Sequence, residues 1–481
     1  MARFLTSFHR WVSIGLCLMF GTWFASGIVM LYVPFPSLSD AERIERAEVV
    51  DVSAIKSLSR SFVATGIDLA SRIRFLQYQK RPILVVEGNS LNVVAVFADS
   101  SEPVPPLTAA DASGIAENFS SASIKSVSDA IFYDQWVVHD RFDKYRPFFR
   151  VALEDDAQTH LYVSAKTTEV LQKTNRQQRA WNYVGAVVHW IYPTFIRKNW
   201  ALWDQLVWWV SLAGIMGVVA GLVLGVQHLL IARRRGIAGL ASPFNGWLAW
   251  HHKIGLASGI IVLMWIFSGW LSMDHGRLFS VPDPSAQQVD VARGITLPEA
   301  LGQLRLEDLA RFPNTTEFEI TGLNQQALLV ARNHESTEIM SIKSSRIADQ
   351  EYLISAAKSA VSQAWPSMTI KDSFIVTPDD VYGHLREGSL PEATLRIVLD
   401  DSVETWVHVN LYGGRIISVM NKSRRMYRWL FNGIHSLDLP GLVTKRPLWD
   451  VLMIILMILG FIFSLTGIVL AYKRLTNMPM G

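Results

Sequence analysis

Two pairs of histidines recur at nearly constant spacing along the 481-residue chain. His435 follows His189 by 246 residues, and His251 follows His9 by 242 residues. Imidazole nitrogen is a common ligand of transition metals and the axial ligand of haem iron in many proteins. A b-type haem between two helices needs one inward histidine from each helix and no cysteine attachment. The pairs His9–His251 and His189–His435 therefore predict two haem sites.

Three further histidines are weaker candidates for the same role. His252 adjoins His251, and neighbouring residues lie about 100° apart on a helix, so only one of them faces a bundle core. His228 aligns with Arg474 and has no histidine partner, and His275 lies just beyond the third predicted span. For every histidine the alternative is a residue that is simply tolerated at a membrane interface.

Four segments free of Asp, Glu, Lys and Arg are long enough to hold these histidines on membrane helices. Half of the residues are hydrophobic and 18% are charged, whereas charged residues make up about a quarter of soluble proteins. About 20 apolar residues cross a hydrocarbon core of roughly 30 Å as a helix. The predicted spans are residues 11–33, 205–232, 254–273 and 451–472. The first is longer than the apolar region of a signal peptide, so we expect a retained helix.

The histidines belong to a longer pattern that occurs twice. At the 246-residue spacing, Arg179 aligns with Arg425, and the Leu-Trp-Asp triplet at 202–204 aligns with that at 448–450. Each copy reads as a span, an outer domain, an aromatic segment with a histidine, and a second span. Since two spans per copy send both copies into the membrane in the same direction, the sequence predicts a parallel repeat.

Basic residues predict the orientation of the spans. Lys and Arg flank the first span, occupy the loop between the second and third, and follow the fourth, so these faces and both termini are expected to be cytoplasmic. The two long segments then lie outside, most simply in a bacterial periplasm beyond the inner membrane. The net charge of +3 gives no indication of a nucleic-acid partner.

The predicted fold is an α+β membrane protein with four transmembrane helices in two parallel repeats and two outer α+β domains, each with its own antiparallel sheet. In chain order we expect a helix at 1–33, an outer domain at 34–178, an interfacial segment at 179–203, a helix at 204–232, a cytoplasmic loop at 233–250, a helix at 251–273, an outer domain at 274–424, an interfacial segment at 425–449, a helix at 450–473 and a cytoplasmic tail at 474–481. Periodicity predicts outer helices at 53–65, 109–120, 297–311 and 351–364, strands at 83–87, 92–97, 148–153, 160–163, 317–321, 327–331, 394–399 and 405–411, and a hairpin turn at 412–415.

Other conspicuous residues have plainer interpretations. Glycines spaced by four at 217, 221 and 225 predict close helix packing, with room for a flat macrocycle as the alternative. Cys17, the single cysteine, is expected to be a small buried apolar residue. Asp204 and Asp450 are expected near helix starts, where the helix dipole favours a carboxylate. Arg179 and Arg425 are expected to anchor the segment at the interface or to pair with a haem propionate.

With these motifs in order, the chain resembles the PepSY-associated transmembrane family, the iron-regulated inner-membrane proteins of bacteria. The resemblance covers nearly the whole chain and rests on short motifs: His9 to Ser13 through Ser26-Gly27, His251 to Gly255 through Ser268-Gly269, Asp134 to Trp136, Arg146-Pro147, Tyr162 to Ser164, Arg179 to Trp181, and His189-Trp190. The second copy departs from the pattern, with Tyr382 for Trp136, Glu392-Ala393 for Arg146-Pro147, and Ser436 for Trp190.

The resemblance implies PepSY-like outer domains and haem b, two per chain, ligated by His9, His251, His189 and His435. It also implies reduction of ferric siderophores outside the membrane, by a haem-dependent transmembrane oxidoreductase embedded in lipid. The chain has no flavin or nicotinamide motif, so a quinol or a separate reductase is the expected electron donor. Two alternatives stay open: a non-enzymatic regulator whose outer domains bind a protease or peptide, and a transporter.

Overall fold

The computed structural model describes residues 2–237, 242–277, 279, 284–385 and 388–479. Its helices are α1 (Ala2–Met30), α2 (Asp40–Glu45), α3 (Leu58–Ala64), α4 (Ala109–Phe119), α5 (Arg176–Asn182), α6 (Thr194–Arg197), α7 (Trp200–Arg234), α8 (Gly246–Ser272), α9 (Ala286–Arg293), α10 (Leu297–Gln303), α11 (Leu306–Ala310), α12 (Gln350–Ala364), α13 (Lys422–Arg428) and α14 (Leu448–Leu475). Its strands are β1 (Ala70–Tyr78), β2 (Arg81–Gly88), β3 (Val93–Phe97), β4 (Ile124–Val127), β5 (Phe148–Leu153), β6 (His160–Ser164), β7 (Val170–Thr174), β8 (Glu317–Leu323), β9 (Gln326–Arg332), β10 (Thr337–Ser341), β11 (Arg346–Ile347), β12 (Ile370–Ile375), β13 (His384–Leu385), β14 (Gly388–Ser389), β15 (Thr394–Leu399), β16 (Trp406–Asn410) and β17 (Arg415–Met420).

Within the described ranges, four helices are long and apolar enough to cross a membrane: α1, α7, α8 and α14. They form a four-helix bundle in which α1 packs on α7 and α14, and α8 packs on the same two helices. Each predicted span is confirmed as a long apolar helix that begins before its predicted start, although α1 and α8 end at Met30 and Ser272, before the predicted ends at 33 and 273. Because α8 begins at Gly246, the predicted loop at 233–250 is shorter, and its residues 238–241 lie outside the described residues.

Close approach of these helices depends on glycine. A Cβ atom built on Gly460 of α14 meets the Phe24 ring of α1 at 2.5 Å, and one built on Gly214 of α7 meets Phe20 at 3.2 Å. Buried Trp265, Met453 and other large side chains fill the centre of the bundle. Within lipid, the hydrophobic effect does not drive helices together. Helix association then depends on close packing, which small residues permit.

Two four-stranded sheets have the same order and register in the two long segments. One is ordered β4-β5-β6-β7 and the other β12-β15-β16-β17. Phe148 lies opposite Ser164 in the first, and Thr394 lies opposite Asn410 in the second. The predicted turn at 412–415 is confirmed, with Gly414 at a φ of 57°, a left-handed conformation that favours glycine.

A third sheet corrects the prediction of one separate sheet per outer domain. Its order is β11-β10-β9-β8-β1-β2-β3, so it takes strands from both long segments. Ile73 of β1 lies opposite Ile320 of β8 in antiparallel pairing. Both strands are largely buried, and an unpaired edge there would expose backbone donors and acceptors. Pairing β1 with β8 leaves neither of these edges exposed and joins the two outer segments in one sheet.

Two of the predicted outer helices are interrupted. The first begins at Leu58 instead of residue 53, because the Ser57 side chain accepts a hydrogen bond from the Arg60 amide and caps the helix there. Residues 297–311 form α10 and α11 instead of one helix, since Asp308 accepts from the Arg305 amide and starts a new one. The predicted helices at 109–120 and 351–364 and the predicted strands are confirmed within about two residues.

Buried ion pairs hold the joined sheet together. The Arg74 guanidinium is 2% exposed and lies 2.6 Å from the Glu169 carboxylate and 3.1 Å from that of Glu317. Arg43 and Arg332 also donate to Glu317. Burial alone would raise the pKa of Glu317, but the surrounding guanidinium groups outweigh it and hold that pKa well below its usual value.

Candidate functional site

The outer ends of α1 and α8 bring His189 and His435 together. Their ring centroids lie 6.2 Å apart. Each histidine follows a short helix, α5 or α13, that continues into a π-helical turn, Tyr183–Val187 or Trp429–Gly433. The two rings therefore come from the interfacial segments that the sequence singled out, and they meet inside the bundle mouth.

Both outer rings are fixed by the same hydrogen bonds. Trp23 of α1 donates from Nε1 to the His189 carbonyl at 2.9 Å, and Trp265 of α8 donates to the His435 carbonyl at 2.8 Å. Nδ1 of His189 lies 3.0 Å from Ser26 Oγ. The matching distance from His435 Nδ1 to Oγ of Ser268 is also 3.0 Å. These tryptophans and serines were not predicted as site residues, although they occupy matched positions in the repeated pattern.

The opposite ends of α1 and α8 bring His9 and His251, the inner pair, together, with ring centroids 6.5 Å apart. Nδ1 of His9 lies 2.9 Å from the Gly217 carbonyl oxygen. Nδ1 of His251 lies 2.8 Å from Thr466 Oγ1. His9 and Ser26 are 17 residues apart on α1, which places the inner and outer pairs about 25 Å apart along the helix axis.

All four rings make a hydrogen bond through Nδ1. Gly217 and Trp23 offer carbonyl oxygens, which only accept. The hydroxyl groups of Ser26, Ser268 and Thr466 also donate to backbone carbonyls of their own helices. The carbonyl partners thus set the tautomer of His9 and His189, and no hydrogen bond within the described ranges engages the four Nε2 atoms. An imidazole held through Nδ1 with a free Nε2 lone pair is the usual arrangement of a metal-ligating histidine.

The separation of the rings suits a metal held between them. Two imidazoles that share a metal at about 2 Å from one nitrogen of each have ring centroids about 6 Å apart, close to both observed separations. Among the described residues no group of three or more His, Cys, Asp or Glu side chains could hold a bare metal ion. Haem supplies its own equatorial nitrogens and takes one or two protein ligands, so the donor set fits haem.

Glycine makes room for the inner pair. A cavity of about 300 Å³ lies between the four helices and is lined by His9, His251 and glycines of α7 and α8. A Cβ atom on Gly221 would stand 2.5 Å from Cε1 of His9. Gly217 and Gly225 instead pack on Val12 and Leu256. The glycine stripe therefore serves helix packing, as expected, and at Gly221 it also receives the imidazole. Cys17 lines the same cavity and is buried, as predicted.

The weaker candidates fall into two places. His228 and His252 line the inner cavity with ring centroids 6.2 Å apart, so they form a second candidate ligand pair there. The expectation that only one of His251 and His252 faces the core is wrong, because His251 turns to α14 and His252 to α7, and both line the cavity. His252 Nε2 lies 2.9 Å from the Gly225 carbonyl. His275 is separate: its Nδ1 lies 2.6 Å from the Asp204 carboxylate, and its ring packs on Trp208.

The charged residues singled out by the sequence serve the outer segments. Arg179 donates to the carbonyl oxygens of Thr174 and Gln158, and Arg425 donates to those of Val403 and Glu404. Both tie a short helix to a neighbouring strand or loop. Asp450 pairs with Arg446 and accepts a hydrogen bond from Tyr32, so it is a partnered carboxylate near the start of α14.

No protein-family model matches the chain, and a search of curated proteins found no match.

Proposed function

We propose that this chain is a membrane haem b protein that conducts electrons from the cytoplasmic side to an acceptor outside. The observation that carries the proposal is that four histidines form two pairs of facing rings. Each ring is fixed by a hydrogen bond at Nδ1, and each Nε2 is left to bind a metal. His9 with His251 would hold an inner haem b, and His189 with His435 an outer one. Haem iron supplies one-electron redox chemistry within a protein that otherwise lacks it.

The chain's own residues position the ligands and exclude water. Trp23 and Trp265 fix the backbone of the two outer histidines, and Ser26 and Ser268 fix their rings. Thr466 orients His251, and Phe463 stacks on its ring at 4.8 Å between centroids. Two sites about 25 Å apart along α1 would divide the roughly 30 Å hydrocarbon barrier into shorter steps.

Aromatic rings near the outer histidines offer routes for electrons in both halves of the chain. Trp190 adjoins His189, its ring lies 5.7 Å from that of Phe35, and Phe35 lies 5.7 Å from Trp136. The second half has Ser436 and Tyr382 at the positions of Trp190 and Trp136. In the second half the ring centroid of Phe431 lies 5.5 Å from that of His435, and Tyr427 lies 5.8 Å from Phe431, so aromatic rings lead away from both histidines of the outer pair.

Matched contacts support two further parts of the proposal. The same register in the two four-stranded sheets, the same π-helical turns and the same histidine hydrogen bonds favour a tandem parallel repeat. With the motifs described above, they support membership of the PepSY-associated transmembrane family in a bacterial inner membrane. We accordingly propose a ferric siderophore as the outer acceptor, and a quinol or a separate reductase as the donor.

The test is the visible spectrum of the purified chain. We expect a Soret band and the paired α and β bands of low-spin haem, with two haems per chain. His9→Ala is expected to lose the inner haem alone and His189→Ala the outer haem alone, whereas His334→Ala, in an exposed turn of the outer region, is expected to keep both. His228→Ala and His252→Ala decide between the two inner pairs. A wild-type protein without a Soret band would refute the proposal and favour a non-enzymatic regulator.

A further inference from the structure

A second cavity, of about 410 Å³, lies between the β4–β7 sheet and the segment that leads to His189. Polar and aromatic side chains line it, among them Arg150, His160 and Arg179 from the sheet and α5, with Tyr133 and Tyr183. It is separate from both histidine pairs. Its lining is polar where the inner cavity is apolar, so a different kind of ligand is expected.

The charges that face this cavity do not cancel. Arg150 lies 3.0 Å from the Asp134 carboxylate, which also accepts a hydrogen bond from Tyr162. Arg179 donates only to neutral oxygens, those of Thr174 and Gln158, in the bonds described for it. The described lining residues thus carry two guanidinium groups against one carboxylate.

His160 adds a buried polar atom to the same wall. Its Nδ1 is buried and has no hydrogen-bond partner in the described part of the chain. Burial first, and then the nearby charges of Arg179 and Arg150, lower the pKa of His160 to about 4. The imidazole is therefore neutral at neutral pH and leaves the charge of the cavity unchanged, while an unpaired nitrogen in a protein interior marks a place for a partner.

In the second half of the chain, 246 residues further on, the equivalent position is occupied by an indole ring and the surrounding charges balance. Trp406 stands at the position of His160, and the guanidinium groups of Arg396 and Arg425 lie over its ring at 4.3 and 4.2 Å. Asp380 binds Arg396 through two hydrogen bonds of 2.6 and 2.7 Å. Glu404, at the position of Gln158, lies 3.5 Å from Arg425. Two carboxylates there balance two guanidinium groups, and indole occupies the space.

We propose that the first cavity is a binding site for an oxyanion, the carboxylate or phosphate group of a small ligand, held by Arg150 and Arg179. Arginine binds planar oxyanions through two parallel hydrogen bonds, and one negative charge would neutralise the lining. Tyr133 and Tyr183 offer aromatic surface to the rest of the ligand. The site does not depend on haem binding.

The test is a calorimetric titration of the full chain in detergent with sodium benzoate and, separately, with inorganic phosphate. We expect saturable binding to one site per chain, with benzoate tighter than acetate because of the aromatic wall. Arg179→Gln is expected to weaken binding at least tenfold. Its matched control, Arg425→Gln, removes the equivalent anchor beside the filled place and is expected to change binding by less than about twofold.

His160→Trp supplies an independent check, because it places indole where the second half has it. Binding is expected to disappear while the melting temperature stays near that of the wild type. Repeating the titration in phosphatidylglycerol nanodiscs identifies the source of the oxyanion: a soluble ligand predicts unchanged binding of the probes, and a lipid phosphate predicts their exclusion. The proposal is overturned if neither probe binds the wild type and no lipid is retained, or if Arg179→Gln and Arg425→Gln weaken binding equally.

Discussion

At the scale of single residues, the histidines owe their geometry to partners that carry no metal-binding chemistry themselves. Ser26 and Ser268 hydrogen-bond to Nδ1 of His189 and His435 and so orient these two imidazoles. The sequence predicted the four histidines as two pairs because they recur at spacings of 246 and 242 residues. It could not predict which ring atom faces the partner, because that depends on hydroxyl groups and carbonyls from other helices, as with Thr466 and His251.

One prediction at this scale concerns Gly221. In Gly221→Ala the new Cβ would stand 2.5 Å from Cε1 of His9, so the imidazole must leave its position. We expect haem content to fall from two per chain to one, with the outer haem retained, in a pyridine haemochrome assay.

Gly15→Ala on α1 is the control, because a Cβ there meets nothing within 4 Å. Replacing a helical glycine by alanine otherwise stabilises a helix by up to about 1 kcal/mol. An unchanged haem content in Gly221→Ala would contradict the placement of His9.

At the scale of secondary-structure elements, the membrane-length helices and the eight predicted strands were found because their apolar pattern is local, whereas β1 and other strands were not predicted. The central sheet was not predicted either, because the partner of β1 lies in the other half of the chain, at β8. The chemical signal of that pairing is a set of opposite charges, Arg72 and Arg74 on one strand and Glu317 and Glu319 on the other. From the sequence alone, such charged residues within strands cannot be told apart from residues on a solvent-exposed face.

Glu317→Gln tests this network. Removing one partner of a buried ion pair costs about 3–5 kcal/mol, because the remaining charge stays buried. We expect a lower melting temperature for the outer region, followed by circular dichroism, with the haem spectrum preserved. Glu338→Gln on β10 of the same sheet is exposed and should melt like the wild type. Equal melting of both variants would argue against a stabilising role.

The same network predicts a dependence on pH. Although burial raises the pKa of Glu319, its guanidinium neighbours lower it from 4.5 to about 2. A carboxylate with a depressed folded pKa stabilises the protein above its unfolded pKa, and that stabilisation is lost as pH falls through the folded value. We expect stability of the outer region to be constant near neutral pH and to decline from about pH 4.5 towards pH 2, less steeply in Glu317→Gln.

At the scale of the whole molecule, the two halves depend on each other twice. Each histidine pair takes one ring from each half, and the central sheet takes strands from both. We therefore expect the halves, separated in the loop after α7, to be unstable when expressed singly and to copurify with haem when expressed together. Protease resistance of the outer region gives the readout. A first half that is protease-resistant by itself would contradict this interdependence.

The pairing of β1 with β8 also has a consequence for biosynthesis. Ile73 and Ile320 face each other, yet 247 residues separate them along the chain. At about 5–20 residues per second, synthesis of that stretch takes on the order of 10–50 s. Throughout this time the β1 edge has no partner, and the third span must enter the membrane before β8 can reach it. Charged side chains keep an open strand edge from pairing wrongly. Arg72 and Arg74 thus protect the nascent chain first, and bind the glutamates of β8 when that strand emerges.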